Sequence, residues 1–239
     1  NAKSSTTPIR PVFDASARSN GFQSLNGCLE KGKNLLNDIP TLLILFRMKL
    51  YAAIADIKKA FLQISVTEKD RNYLRFLWYK YGKIIILRHC RVVFGISSSP
   101  FLLAATINYH LDNVKQELQE VAQLLKRSLF VDNCVVSVDT KEERDRFIVE
   151  STKMCADAKF ELRGWVWNGS EVIAGDVSGV GSPECGLEAG SNASQETSTS
   201  VLGLLWNVCD DTISLDMRKV LQVNEDVVTK RTILSATHQ

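Results

Sequence analysis

The chain has 239 residues, of which 45% are hydrophobic and 23% charged, a composition typical of a globular protein. Its wholly apolar runs, such as Leu42–Phe46, are far shorter than the roughly 20 residues that cross a membrane, so we expect no membrane association. Six widely spaced cysteines without a Cys-x-x-Cys pair argue against a zinc site. With no secretory signal at the start, they predict reduced thiols in an intracellular protein that is not secreted.

The net charge of +2 is unevenly distributed along the chain. Residues 1–91 hold 16 Lys and Arg against 6 Asp and Glu, whereas residues 92–239 hold 13 against 21. The first part could therefore present a basic face to a polyanion, and the second could supply acidic metal ligands. A solvated charged surface would give the same counts. Because the chain starts at Asn1 rather than Met and stops at Gln239 after an apparent helix start, we expect a fragment of a longer protein.

A helix and a buried strand are the first strongly predicted elements. A helix is predicted from Asn34 to Met48, because Asn37 or Asp38 can cap it and its apolar residues recur at helical spacing. Tyr51–Ile57 is then predicted to be a buried strand interrupted by one charge, Asp56. Unpaired burial of a carboxylate costs several kcal/mol, so we expect Asp56 to be paired, to bind a metal or to lie at the exposed end of the strand.

A hairpin, a loop and a long helix are predicted next. Strands over residues 73–79 and 83–87 are joined at Lys80-Tyr81-Gly82. Residues 92–100 form a Gly- and Ser-containing loop whose backbone can approach a ligand closely. Pro100 then opens a single helix that runs from Phe101 to about Leu125.

Residues 129–138 are predicted to form a β-hairpin with Asp132-Asn133 as its turn, because Asp and Asn tolerate tight-turn conformations. A carboxylate at the tip of this hairpin could share a metal ion with a second carboxylate on a neighbouring strand. A plain surface hairpin is the alternative. Residues 140–143 then form a capping box for a helix to about Lys159, and residues 160–167 are predicted to form the next strand.

The composition changes sharply over residues 168–200, which hold six glycines, seven serines, five acidic residues and no Lys or Arg. This composition predicts a mobile loop or linker that projects from the surface. Residues 201–208 and 212–215 are predicted to form a last hairpin, and a helix is predicted to begin at Val227. We therefore divide the chain into residues 1–167, 168–200 and 201–239.

The ordered motifs of the chain resemble the reverse transcriptase domain of BEL/Pao-type retrotransposon polyproteins, over nearly the whole length. The stretches that carry the resemblance are Arg10–Ser16 (RPVFDAS), Ser24–Asn26 (SLN), Ala55–Ile64 (ADIKKAFLQI), Asp70–Trp78 (DRNYLRFLW), Phe94–Ala105 (FGISSSPFLLAA), Phe130–Asn133 (FVDN), Phe160–Trp165 (FELRGW), Leu202–Trp206 (LGLLW) and Thr229–Ser235 (TKRTILS). The resemblance implies an α+β fold, the fingers and palm of a right-hand polymerase. Its antiparallel palm sheet would be backed by helices, and its thumb truncated.

The same resemblance implies an RNA-directed DNA polymerase, a nucleotidyltransferase of the DNA/RNA polymerase superfamily. Two Mg²⁺ ions, or Mn²⁺, would activate the primer 3′-hydroxyl and stabilise the leaving pyrophosphate. The expected partners are an RNA or DNA template with its primer and deoxynucleoside triphosphates. The full-length element would add protease, RNase H and integrase domains and act in a cytoplasmic retroelement particle.

The resemblance also assigns roles to individual residues. Asp56 and Asp132 match the metal ligands of the family, although a capping or salt-bridged carboxylate would also explain Asp56. Phe61 matches the aromatic gate that excludes a ribose 2′-hydroxyl, or is an ordinary core residue. Arg10 and, more loosely, Lys3 match residues that contact the triphosphate, and a solvated tail lysine is the alternative for Lys3.

Two further groups complete the predicted site. Phe94 and Gly95 match the start of the loop that lines the nucleotide and template site. The stretch Leu202-Gly203-Leu204 matches the primer-grip strand, for which a plain core hairpin is the alternative.

Three positions depart from the family pattern, and one of them is Cys134, which stands where the family has a larger apolar residue. The catalytic box of the family ends in two aspartates, but its second position here is Asn133, which loses a full negative charge. We expect this change to lower metal affinity or activity by at least about 10-fold to 100-fold. Gly164 stands where the family more often has a basic residue. Three hypotheses follow: a weakened polymerase, an inactive module that still binds primer-template, and a decayed copy without a selected role.

Overall fold

The computed structural model describes residues 13–169 and 198–215 of the chain. The helices of this part are α1 (Leu25–Cys28), α2 (Ile39–Arg47), α3 (Ala60–Gln63), α4 (Ser99–Asp112), α5 (Gln119–Ser128) and α6 (Lys141–Asp157), with 3-10 helices at Glu68–Tyr73 and Gln116–Leu118. The strands are β1 (Tyr51–Ile57), β2 (Arg75–Lys80), β3 (Lys83–Arg88), β4 (Leu129–Phe130), β5 (Asn133–Val138), β6 (Leu162–Trp167), β7 (Ser198–Val201), β8 (Leu204–Asn207) and β9 (Thr212–Ser214). Among these helices, none is long and apolar enough to span a membrane.

Four antiparallel strands form the central sheet, in the order β4-β5-β1-β6. The middle strand β1 pairs in register with β5, from Tyr51 opposite Val138 to Asp56 opposite Asn133. Its residues between Tyr51 and Asp56 are all buried, because apolar side chains cover both faces of the sheet there. The buried strand predicted for Tyr51–Ile57 is confirmed.

The helices α4, α5 and α6 cover one face of the central sheet and form the main hydrophobic core with it. The large apolar side chains that the helices contribute are Leu103, Ile107 and Leu111 of α4, Val121 and Leu125 of α5, and Phe147 and Met154 of α6. The predicted antiparallel sheet backed by helices is therefore present.

The opposite face of the central sheet is covered by α2 and by a second sheet, β7-β8-β9. The rings of Phe46 and Trp206 meet edge to face there, with centroids 5.0 Å apart, and both are fully buried. The Trp206 indole donates to Asp211 Oδ1 at 2.9 Å, and Arg47 Nη1 donates to the same oxygen at 2.6 Å. These contacts attach the small sheet to α2 and to the central sheet.

Local capping signals locate the starts of two helices correctly. The Asp38 carboxylate accepts a hydrogen bond from the Thr41 N–H at 3.1 Å, so α2 begins after Asp38 and not at residue 34. The Thr140 hydroxyl accepts from the Glu143 N–H at 3.2 Å, and the Glu143 carboxylate accepts from the Thr140 N–H at 3.3 Å. This capping box starts α6 as predicted.

The single helix predicted for residues 101–125 is wrong, because the structure divides it into α4 and α5. Asn113 ends α4, since its side-chain amide donates to the Tyr109 carbonyl at 2.7 Å. Lys126 of α5 then folds back on Asp112 of α4, with Nζ 2.8 Å from Oδ1. The two helices keep a shared apolar face, which is why the sequence pattern looked continuous.

The ends of the loop predicted for residues 168–200 belong to the folded structure. Asn168 is buried, and its Oδ1 accepts from the Ala52 N–H at 2.7 Å. At the other end of the predicted loop, Ser198, Thr199 and Ser200 belong to strand β7. The stretch between, residues 170–197, lies outside the described residues.

The last predicted hairpin contains one strand more than expected. Strand β7 turns into β8 at Leu202-Gly203, where φ is +46° and +92°. Two-residue hairpin turns of this kind need positive φ angles, which Gly203 adopts without steric cost. The predicted turn around residues 209–211 does join β8 to β9. The helix predicted from Val227 lies outside the described residues.

The predicted hairpin of residues 73–87 is confirmed as β2 and β3, joined at Tyr81-Gly82. Most of its side chains on both faces are exposed. At its base the His89 ring stacks on Phe76, with centroids 4.6 Å apart, and meets Phe13 edge-on at 5.8 Å. Partial burial lowers the pKa of His89 below its ordinary value.

Candidate active site

Asp56, Asp132 and Asn133 come together where β1 and the β4–β5 hairpin end. Asp56 pairs directly with Asn133 across the sheet, so their side chains lie on the same face. The Ile57 N–H donates to the Asp132 carbonyl at 2.7 Å, and Asn133 Nδ2 donates to Asp132 Oδ1 at 3.2 Å. The Asp56 side chain is 48% exposed. The two predicted carboxylates therefore lie at the same open end of the sheet, Asp56 on β1 and Asp132 in the turn before β5.

The turn of the β4–β5 hairpin lies one residue earlier than predicted. Phe130 pairs with Asn133, so the turn residues are Val131 and Asp132, and Asn133 begins β5. Val131 has φ +56°, an unusual conformation for a β-branched residue. Its side chain packs against the main core, and this packing offsets the backbone cost. The shift matters because it places Asn133 in the strand, opposite Asp56.

Arg163 of β6 faces Asp56 from the other side of β1. The register of β1 and β6 shifts between the pairs Ile54–Val166 and Asp56–Arg163, which leaves one extra residue on β6. Gly164 lies in this β-bulge with φ +65°, and a Cβ added there would be 3.1 Å from Asp56 Oδ1. Arg163 Nη2 lies 3.5 Å from Asp56 Oδ2. Arg163 lies within a predicted motif, but no sequence pattern indicates its contact with Asp56.

A cavity of about 150 Å³ opens beside these residues, between the central sheet and β7. Asp56, Asn133 and Gly164 line one side of it, and residues 199–202 of the small sheet line the other. The cavity therefore joins the predicted catalytic residues to the predicted primer grip.

The predicted primer-grip residues lie at the β7–β8 turn. Leu202 lines the cavity, and Leu202 and Leu204 both pack against the core under the small sheet. Gly203 is at the tip of the turn, with no atom within 4 Å of a Cβ added there. Two leucines thus anchor the turn, and its tip is open.

Phe61 lies in α3 and packs against Phe94. Their rings meet edge to face with centroids 4.7 Å apart. Phe61 is only 4% exposed, whereas Phe94 is 47% exposed. Phe94 therefore presents the larger surface to solvent, and the burial of Phe61 fits a core residue as well as a gate.

Gly95 follows Phe94 in a tightly fixed loop. It has φ +92°, and a Cβ added there would lie 1.9 Å from the Phe13 carbonyl oxygen. Asn26 holds the loop: its Nδ2 donates to the Gly95 carbonyl at 2.9 Å, and its Oδ1 accepts from the Ser97 N–H at 2.8 Å. Asn26 was part of a predicted motif, but nothing in its sequence context indicated this contact.

The two predicted triphosphate contacts, Lys3 and Arg10, lie outside the described residues.

Oxygen atoms are the metal donors that this site offers. Among residues 13–169 and 198–215, no group of three or more His, Cys, Asp or Glu side chains could hold a metal ion. Cys134, next to Asn133, is fully buried, and burial, with a smaller effect of Cys155, raises the pKa of its thiol well above the usual value. Burial also raises the pKa of Cys155 to about 12. Both thiols are thus protonated at neutral pH.

The chain matches a protein-family model. The family model described as "Reverse transcriptase (RNA-dependent DNA polymerase)" matches residues 6–164, about two thirds of the chain. No curated protein matches the chain.

The chain is also similar to solved structures of the foamy viral protease-reverse transcriptase. The complex with RNA/DNA hybrid matches 86% of this chain at 17% identity, with a TM-score of 0.52 over 23% of that protein. A complex with dsDNA matches 88% at 15% identity, with a TM-score of 0.52 over 36% of that protein. At these identities the likeness shows the fold alone, and it confirms the predicted polymerase fold. The chain spans about a quarter to a third of the length of these proteins.

Proposed function

The chain belongs to the reverse transcriptase family, and we propose that it copies RNA into DNA at a rate lowered by Asn133. The observation that carries this proposal is the direct pairing of Asp56 with Asn133, beside Asp132, at the open end of the central sheet. The motif resemblance supports the finer assignment to a BEL/Pao-type retrotransposon polyprotein. In that setting, protease, RNase H and integrase domains accompany it in a cytoplasmic particle.

The donor set at the site fits a divalent metal ion. Asp56 and Asp132 supply hard carboxylate oxygens and Asn133 an amide oxygen, the ligand types that Mg²⁺ prefers. Bound Mg²⁺, or Mn²⁺, would activate the primer 3′-hydroxyl and stabilise negative charge on the pyrophosphate. Asn133 adds no charge, so two ions would share two carboxylates. We therefore expect the second ion to bind weakly.

The remaining site residues position the substrates. The β7–β8 turn orients a primer end, a role supported by the position of Leu202 in the cavity beside Asp56. Phe94 and Gly95, with Phe61 behind them, form the wall of a nucleotide pocket, and Arg10 and Lys3 contact the triphosphate. A primer-template partner is supported by the basic first part of the chain. It is also supported by the similar foamy viral proteins, which were solved with RNA/DNA hybrid and dsDNA.

A second candidate function is binding of primer-template without catalysis. Two observations favour it: Asn133 in place of a carboxylate, and the contact of Arg163 with Asp56. Both reduce the negative charge that a divalent ion needs.

Primer extension on an RNA template tests the polymerase proposal. We expect the Asn133→Asp variant to extend a DNA primer at least about tenfold faster than the natural chain in Mg²⁺, because it restores a carboxylate ligand. Asp56→Asn, made in both backgrounds, should abolish extension. If Asn133→Asp is no faster than the natural chain, Asn133 is not the limiting defect and the assignment of the site is wrong.

Binding of an RNA–DNA hybrid, measured by fluorescence anisotropy, identifies the second function. A chain that binds the hybrid in a salt-dependent way, yet extends no primer even as Asn133→Asp, is a binding module. A chain that neither binds nor extends has neither proposed function.

A further inference from the structure

We propose that Arg163 is a positioning residue that acts as a built-in counter-ion of Asp56 and competes with the divalent cation at this site. The inference rests on the proposed function, because it concerns the same carboxylate. It assigns to Arg163 an effect on the affinity of the site for the metal ion.

The contact between the two side chains is direct. Arg163 Nη2 lies 3.5 Å from Asp56 Oδ2, with the arginine 31% and the aspartate 48% exposed. The Arg163 Nε–H is buried and has no hydrogen-bond partner among the described residues. The guanidinium is therefore held beside Asp56 by its position on β6 and by charge. No bond from Nε ties it elsewhere.

The β-bulge at Gly164 is the reason why Arg163 reaches Asp56. If the regular antiparallel register of the pair Ile54–Val166 continued, residue 164 would lie opposite Asp56. The extra residue in the bulge moves Arg163 to that place, and the φ of +65° at Gly164 is a conformation that glycine adopts without steric cost. Because Gly164 has no side chain, the space next to Asp56 Oδ1 also stays open.

The nearest lysine in sequence is directed away from this contact. Lys58, two residues after Asp56, binds the Glu161 carboxylate, with Nζ 2.8 Å from Oε2 and 3.0 Å from Oε1. In the described part of the chain, the ion pair of Asp56 is thus formed with Arg163.

The charges explain the expected effect on metal binding. Asp56 and Asp132 supply two negative charges and Asn133 none, and Arg163 neutralises part of this small total. A divalent cation that binds Asp56 must displace or oppose the guanidinium. Removing the positive charge should therefore tighten metal binding by about three- to fivefold, the upper part of the range expected for a partly exposed ion pair.

Titration with Mn²⁺ tests this inference without any need for catalysis. The free Mn²⁺ signal in electron paramagnetic resonance reports the dissociation constant of the natural chain and of Arg163→Gln, Arg163→Met and Arg163→Lys. We expect the Gln and Met variants to bind Mn²⁺ about three- to fivefold more tightly, and the Lys variant, which keeps the charge, to stay within about twofold of the natural chain. Two neutral variants are used so that a folding defect in one does not decide the result. Thermal melting in excess chelator identifies such a defect.

Arg146→Gln is the matched control, because Arg146 is a surface arginine of α6 that is paired with Glu150 of the same helix and with Glu120 of α5. It should leave the Mn²⁺ affinity unchanged. Unchanged or weaker binding by folded Arg163→Gln and Arg163→Met overturns the inference, as does tightening in the Lys variant equal to that in the Gln variant. Asp56→Asn separates the two proposals: if it binds Mn²⁺ as well as the natural chain does, the proposed metal site itself is wrong.

Discussion

Phe61 and Phe94 form one wall of the proposed nucleotide pocket, and they contribute to it differently. Phe94 exposes about half of its side chain, while the Phe61 ring is buried against it edge to face. In this arrangement the buried Phe61 ring would support the Phe94 ring, and the two rings together would limit the space beside the sugar of the nucleotide. The role of Phe61 as a gate stays a prediction.

Selectivity for deoxynucleotides tests the role of Phe61. In the Asn133→Asp background, Phe61→Val should reduce the ratio of kcat/KM for a deoxynucleotide over the matching ribonucleotide by about tenfold or more, because it removes the ring that a 2′-hydroxyl would meet. The comparison is a single-nucleotide extension assay. Phe147→Val, which shortens an equally buried phenylalanine under the sheet, is the control for lost stability. Equal ratios in the two variants would identify Phe61 as an ordinary core residue.

The loop after β3 shows how one element is fixed by contacts far along the chain. Gly95 lies so close to the Phe13 backbone that no side chain fits, and Asn26 bonds to the loop on both sides of Ile96. These contacts preorganise the loop that carries Phe94. Rigid support of this kind keeps the wall of a binding pocket in place.

Gly95 and Gly203 have the same φ of +92°. Alanine substitutions at the two positions therefore distinguish the cost of backbone strain from the cost of steric overlap. Gly203→Ala should lower the free energy of unfolding by about 1 kcal/mol, because its surroundings are open and only the backbone conformation is penalised. Gly95→Ala should lower it by at least about 3 kcal/mol, because its Cβ would also meet the Phe13 carbonyl. Urea unfolding measures both values. Equal losses would mean that the loop moves away from Phe13 easily.

At the scale of the whole molecule, basic residues are in excess in the first part of the sequence and acidic residues in the second part. The basic first part of the sequence includes the exposed β2–β3 hairpin, in which β2 ends at Lys80 and β3 begins at its pairing partner Lys83. Residues 1–91 hold 16 Lys and Arg against 6 Asp and Glu, so this part is suited to contact a phosphate backbone. Such contacts release counterions and make affinity dependent on salt.

Salt titration of hybrid binding tests this assignment. For an RNA–DNA hybrid we expect the double variant Lys80→Gln/Lys83→Gln to bind more weakly and to reduce the slope of log K against log salt by about 1 for each lysine that contacts a phosphate. Lys126→Gln, which removes a lysine paired with Asp112, is the control and should leave the slope unchanged. An unchanged slope in the double variant would place the hybrid elsewhere on the molecule.

The sequence alone determined the features that depend on a few neighbouring residues. The cap at Asp38 and the capping box at Thr140 located two helix starts. The apolar run broken by Asp56 located the central strand and its one exposed carboxylate. The ordered motifs predicted a reverse transcriptase domain, which the family model confirms. Capping and burial patterns act within a turn or a strand, so they can be read locally.

Tertiary structure alone decided where the strands align. It placed the hairpin turn at Val131-Asp132, because core packing of Val131 outweighs the local preference of Asp and Asn for turns. It brought Arg163 opposite Asp56 through a bulge between strands that are distant in sequence. Strand register depends on hydrogen bonds and packing with the partner strand, and no local pattern within either strand contains that information.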